Sequence, residues 1–232
     1  SKLLTKLGTV LLTGVLLTSV KVNVVNAQEA PLMSEKTVQT VQTVQAVETV
    51  QVERKTKRVP TLRSKVYDQL SRAQSLADAG NQVEAFEVLD QVKSKHSSMN
   101  SYEQAMMYNF YGFIHYAVEN YDQAIVAFEN VVQQQPIPET FEQATLFSLA
   151  QLHMMRGNFD KTILKIEQWE TIQNRLYPNT DMPAKNLVLK AQAMYQKQDY
   201  AASSGYINAA VQQVETNDLG FQVDEQWYVL QR

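Results

Sequence analysis

The chain reads as an all-α, right-handed solenoid of about four helical hairpins plus a truncated further helix. Two observations predict it. A turn phrase recurs, as Asn120-Tyr121-Asp122, Asn158-Phe159-Asp160 and, more weakly, Asp199-Tyr200. Around it, small residues repeat at one place in each unit: Ala73, Gly112, Ala150 and Ala191 before the turn, and Ala85, Ala124, Thr162 and Ser203 after it. The second series is spaced by 39, 38 and 41 residues. Periods in this range mark stacked units, each unable to bury its apolar face alone. With 44% hydrophobic residues but only 7 Gly and 6 Pro, the composition suits helices.

The first 27 residues read as an export signal. Lys2 and Lys6 precede an apolar core from Leu7 to Val20, and Val25-Asn26-Ala27 offers a small-x-small cleavage site after Ala27. This core is shorter than the roughly 20 residues of a membrane span. The expected destination is the periplasm, with an uncleaved anchor as the alternative, since Val22, Val24 and Val25 extend the apolar character past Lys21. Residues 28–62 follow as a low-complexity flexible linker, with Val38, Val41, Val44, Val47 and Val50 at every third position. That period fits neither a helix face nor a strand. The linker ends in the basic run Arg54, Lys55, Lys57 and Arg58, which is expected to solubilise the tether. The alternative is contact with an anionic membrane surface or an acidic partner, and no membrane contact is expected outside this run and residues 1–27.

Residues 63–232 form the repeat domain. The first unit runs from Val66 through Gly80-Asn81, with Val83, Phe86, Leu89 and Val92 on one face of its second helix. A second spans Tyr102 to Gln135, entered through a capping box at Ser101-Tyr102-Glu103-Gln104 and stopped by Pro136. The third begins with another box, Thr140-Phe141-Glu142-Gln143, and turns at Gly157-Asn158. The fourth runs from Ala184 to Gln198 and returns through Tyr206, Ile207, Ala210 and Val214. A further helix begins at Gln226-Trp227 and is cut off at Arg232, so the repeats are expected to continue.

Tyr108, Tyr111, Gly112 and His115, then Ala124 and Phe128, then Pro136, resemble a tetratricopeptide repeat. The likeness is strong in the second unit, fair in the third and weak in the first and fourth. It implies a packing set of Tyr108, Gly112, Ala124, Phe128, Pro136, Ala150 and Ile166. It also implies a concave groove lined by the first helix of each unit. That assigns Tyr67, Leu70, Gln74 and Asp78 in the first unit, and Met106, Asn109, Phe113 and Tyr116 in the second. The third and fourth contribute Phe147, Gln151, Met154 and Met155, then Lys185, Val188, Gln192 and Tyr195. The peptide-binding residues expected to matter most are Met106, Asn109, Phe113, Tyr116, Phe147, Gln151, Met154 and Tyr195. Aromatic and thioether side chains give large, adaptable contact areas, suited to a peptide guest; the alternative for Phe113, Phe147 and Met154 is that they fill the core between hairpins.

Other functions find little support. Without cysteine there is no thiolate nucleophile, disulfide or cysteine zinc site. Residues 63–232 hold 13 basic and 20 acidic side chains, which disfavours nucleic acid. His115 and His153 occupy equivalent places 38 residues apart, with no second ligand at helix spacing, so core packing is expected of them. There is no phosphate loop, nucleophile elbow or paired acidic motif, and neither catalysis nor a cofactor or metal is expected.

The run from Val66 to Trp169, with Met99-Asn100-Ser101-Tyr102-Glu103 and Gln135-Pro136-Ile137-Pro138-Glu139, also resembles periplasmic tetratricopeptide proteins encoded beside TonB–ExbB–ExbD systems of marine gamma-proteobacteria. That resemblance implies a non-catalytic accessory of TonB-dependent transport, with TonB-complex components as partners. Two alternatives stay open: a chaperone or assembly factor for outer-membrane or pilus components, and a regulatory part of a longer protein.

Overall fold

The computed structural model describes residues 58–216 and Trp227. The expected export segment, the linker up to residue 57 and most of the expected last helix lie outside the described residues. Within them are eight α-helices, a short 3-10 turn at His96–Ser98 and no strand. The helices are α1 (Ser64–Asp78), α2 (Gln82–Lys93), α3 (Ser101–Ala117), α4 (Tyr121–Gln133), α5 (Glu139–Met155), α6 (Phe159–Leu176), α7 (Ala184–Gln196) and α8 (Tyr200–Thr216). They pair as four hairpins, α1–α2, α3–α4, α5–α6 and α7–α8. The solenoid expected from the repeats is the fold observed.

All four hairpins turn in the same way. Gly80, Glu119, Gly157 and Gln198 take positive φ values of 84°, 59°, 72° and 65° at equivalent places. The next residue then donates its N–H to the carbonyl five positions back: Asn81 to Leu76, Asn120 to His115, and Asn158 to His153, each at 2.8 Å, and Asp199 to Met194 at 3.0 Å. This left-handed cap satisfies carbonyls that the helix end leaves open. The recurring turn phrase is thus a helix stop followed at once by a helix start. Where glycine is absent, Glu119 and Gln198 hold a conformation that costs side-chain-bearing residues energy.

Four apolar clusters run through the stack, and consecutive ones share a helix or a partner residue. Leu70, Leu89, Met107 and Ile114 join α1, α2 and α3. Phe128, Val131, Ile137 and Leu149 join the second hairpin to α5. Phe147, Ile166, Trp169 and Leu189 carry the seam from α5 and α6 to α7. Val188, Ile207, Ala210 and Val214 close the fourth hairpin, where Trp227 packs in helical conformation. Each hairpin therefore completes its neighbour's core, the arrangement that makes a single unit unstable and a pile stable.

Two helix starts differ from the sequence reading. The capping box of α3 is formed by Asn100 rather than Ser101: the Asn100 side chain accepts from the Glu103 N–H, and the Glu103 carboxylate accepts from the Asn100 N–H, both at 3.0 Å. Ser101 donates instead to the Pro136 carbonyl. Helix α5 starts at Glu139 after Pro138 without a side-chain cap, so Thr140 lies inside the helix. Glu139 and Glu142 in its first turn complement the positive helix end.

Candidate functional site: the wall of first helices

The first helices converge on one side of the stack. Helix α1 touches α3 and α5 touches α7, while among the described residues no contact of that extent joins α3 to α5 or one second helix to another. That side carries the residues that the sequence assigns to the groove. Small residues draw each hairpin tight beneath it: Ala73, Ala150 and Ala191 are fully buried, and Gly112 lies against the Phe128 ring. In the second helices Ala124 and Thr162 sit buried at the matching place, with the Thr162 hydroxyl donating to the Ala150 carbonyl at 3.3 Å.

On this wall Met106, Asn109, Phe113, Tyr116, Gln151, Met154 and Gln192 are half-buried, and Met155 and Tyr195 are exposed. Phe113 stands edge-on to Phe128, with ring centres 5.3 Å apart. Tyr116 leans on Tyr121 at 5.6 Å and Tyr195 on Tyr200 at 5.2 Å, so the same aromatic pair recurs beside the turns of the second and fourth hairpins. Burial, with Tyr121 alongside, pushes the Tyr116 hydroxyl above its usual pKa. In the first hairpin Tyr67 is exposed, and Gln74 donates to Asp78 at 2.7 Å.

Three residues assigned to the wall by register lie deeper. Leu70 and Val188 are in the core, because α2 and α8 close over those positions. Phe147 is 7% exposed and packs with Ile166 and Leu189. The Lys185 ammonium stands 5.0 Å from its ring centre. Among the packing set, Tyr108 bridges the first two clusters, and Gly112, Ala124, Phe128, Ala150 and Ile166 are buried. Pro136 is exposed, and Ile137 beside it is the residue that enters the core.

Sequence reasoning missed the charged contacts between hairpins. Glu103 is fully buried, and its carboxylate accepts from the Arg63 N–H at 3.1 Å, from Arg63 Nε at 2.6 Å, and from Arg63 Nη2 at 2.7 Å. Hydrogen bonding from the guanidinium holds this carboxyl below the ordinary range. Lys165 Nζ bonds Glu129 at 2.8 Å across α6 and α4, with His153 Nε2 3.6 Å from the same carboxylate. His153 and Lys165 together hold Glu129 below its usual pKa. Lys190, nearly buried, lies 3.8 Å from Glu167, 3.6 Å from Glu170 and 4.8 Å from the Tyr206 ring centre.

A simpler pattern lay in the repeat phrase itself. Asp122 meets Arg156 at 3.0 Å, and the equivalent Asp160 bonds Lys197. Each acid at the start of a second helix reaches the base just after the next hairpin's first helix. The acid of the turn phrase, followed by a base 34 or 37 residues later, was the available signal.

His153 is buried, and His115 is half-buried among aromatic rings. His115 lies 4.7 Å from Phe86, centre to centre, and burial lowers its pKa. Among the described residues no three His, Asp or Glu side chains gather to hold a metal, and no helix is long and apolar enough to cross a membrane.

No family model matches the chain, and no curated protein matches it. Several solved structures share its fold, two of which are described by their repeats. Both are TPR-like repeats from a kinesin light chain protein of Podosopora anserina. One, a point variant, is 19% identical with a TM-score of 0.52, over 68% of this chain and 79% of that one. The other is 18% identical with a TM-score of 0.51, over 66% and 76%. The chain has a tetratricopeptide-like repeat fold.

Proposed function

We propose that the chain is a non-catalytic scaffold that holds a segment of another protein along the wall of first helices. The observation that carries this is the makeup of the wall at its centre. Met106, Asn109, Phe113, Tyr116, Gln151 and Met154 form a half-buried face of aromatic, thioether and amide groups without a charge. Such a face offers apolar area and hydrogen bonds to a peptide backbone. Photo-crosslinking from benzoylphenylalanine at position 109 or 151, against position 126 on a second helix, tests it. Partner adducts specific to 109 and 151 support the groove. Adducts equal at all three, or only at 126, remove it.

The finer reading is an exported accessory of TonB-dependent transport. It rests on the signal-like segment from Lys2 to Ala27 and on the resemblance over Val66 to Trp169. A TonB partner offers proline-rich extended segments, which need little ordering to bind an aromatic surface. Titration with a purified periplasmic segment of TonB checks it. Binding that Gln151→Arg weakens at least tenfold supports the assignment; no binding, or equal binding by the variant, rejects it.

A further inference from the structure

The wall of first helices carries almost no net charge, and its few ionised groups divide sharply. Asp78 is bonded by Gln74 within its own helix. Lys185 is exposed, and among the described residues no carboxylate lies within ion-pair distance of it. Its neighbours behave differently. Between α4 and α8, Arg156, Lys165, Arg175, Lys190 and Lys197 reach acids, while Lys161, exposed on the second helix α6 and away from the wall, pairs with none among the described residues.

Folding gives Lys185 no evident task. It stands in the first turn of α7, where the partial positive charge of the helix end disfavours a cation, and that turn holds no acid. The corresponding turns of α3 and α5 carry Glu103, and Glu139 with Glu142. Its ammonium is nevertheless placed, 5.0 Å from the ring centre of Phe147 on the neighbouring hairpin. A cation over an aromatic face keeps its charge and loses some freedom. The result is a positioned, unpaired positive charge at the edge of an uncharged face.

We infer that Lys185 sets the specificity of the groove, reading an acidic side chain, Asp or Glu, in an otherwise uncharged guest segment. This deepens the scaffold reading and rests on it. A side-chain carboxylate fits better than a chain terminus, because one ammonium, flanked by an aromatic ring, offers a single charged donor. A free terminus is usually held by several converging donors. The guest's apolar residues meet Phe113 and Met154, and its one acid meets Lys185.

A display library of random 12-residue peptides tests this, selected in parallel on the wild-type chain, Lys185→Met and Lys185→Glu. The expected result is that wild-type selectants carry Asp or Glu at one register at least fivefold above the starting library. Lys185→Met should lose that preference while keeping the same apolar positions, and Lys185→Glu should favour Lys or Arg there. Selected peptides synthesised with free or amidated C-termini should bind equally. Equal acid enrichment on wild type and Lys185→Met, or none on wild type, overturns the inference but leaves the groove standing. Dependence on a free C-terminus overturns the choice of side chain. If no peptide is enriched on any variant, the scaffold reading falls with it. Unchanged circular dichroism of both variants shows that folding is not the cause.

Discussion

Gly112 on α3 lies so close to Phe128 on α4 that a methyl group at position 112 would stand 2.6 Å from the ring's Cε1. No real carbon pair tolerates that distance, and Phe128 is 2% exposed, so the ring has little room to withdraw. This is where the two helices of the second hairpin meet.

Gly112→Ala is therefore expected to destabilise the fold. The change gains about 1 kcal/mol of helix propensity and loses roughly 1–3 kcal/mol to overpacking. Urea unfolding should show a net loss on the order of 1 kcal/mol. A double-mutant cycle with Phe128→Leu should recover much of it, since the smaller side chain vacates the contested space. Additive losses would mean the contact is not what limits this position.

The turn geometry predicts gains as well as losses. Glu119 and Gln198 occupy the left-handed position that Gly80 and Gly157 fill elsewhere. Glu119→Gly should stabilise by about 0.5–1 kcal/mol, after the added freedom of glycine in the unfolded chain is subtracted. Gly157→Ala should destabilise by about 1 kcal/mol for the same reason. Thermal unfolding of the two variants should move in opposite directions.

Acid should loosen the stack through two carboxylates. Glu103 and Glu129 both have folded pKa values held below the ordinary range. Their stabilisation is fully present above the unfolded value of about 4.3 and is lost as pH falls toward the lower folded values. Unfolding midpoints followed from pH 6 down to pH 2 should fall steeply below about pH 4. Glu103→Gln should flatten that limb. Arg63→Met should shift it to higher pH, because the buried carboxyl then keeps its desolvation and loses its guanidinium. An identical acid limb in all three proteins would remove the role given to Glu103 and Arg63.

The exposed pairs Asp122–Arg156 and Asp160–Lys197 should matter little by themselves. Exposed ion pairs typically contribute about 0–1 kcal/mol and are screened by salt. Coupling energies from double-mutant cycles should lie in that range and shrink in 0.5 M NaCl. A larger, salt-insensitive coupling would mark them as structural keystones.

The hairpins were legible because each is written locally. A small residue, a left-handed stop and an Asn or Asp start fall within about ten residues, and the spacing repeats. Depth was less legible. Register placed Leu70 and Val188 on the wall of first helices, but how far α2 and α8 close over them depends on partners distant in sequence. Pro136 illustrates the same limit: proline marks the helix end by chemistry, while the buried contact passes to Ile137. The Arg63–Glu103 pair lay beyond reach, since two residues 40 apart with no repeat relation share no pattern. In the wall, residue types were readable and their electrostatic company was not. That Lys185 faces Phe147 without an acid depends on how α7 sits against α5.

The bond from Arg63 to the buried Glu103 also ties the chain ahead of α1 to the head of α3. Asn100 Nδ2 adds a second stitch by donating to the Thr61 carbonyl at 2.9 Å. A tug on the chain upstream thus arrives at the head of α3 before it can unzip α1. Pulling on that end should therefore load the second hairpin together with the first.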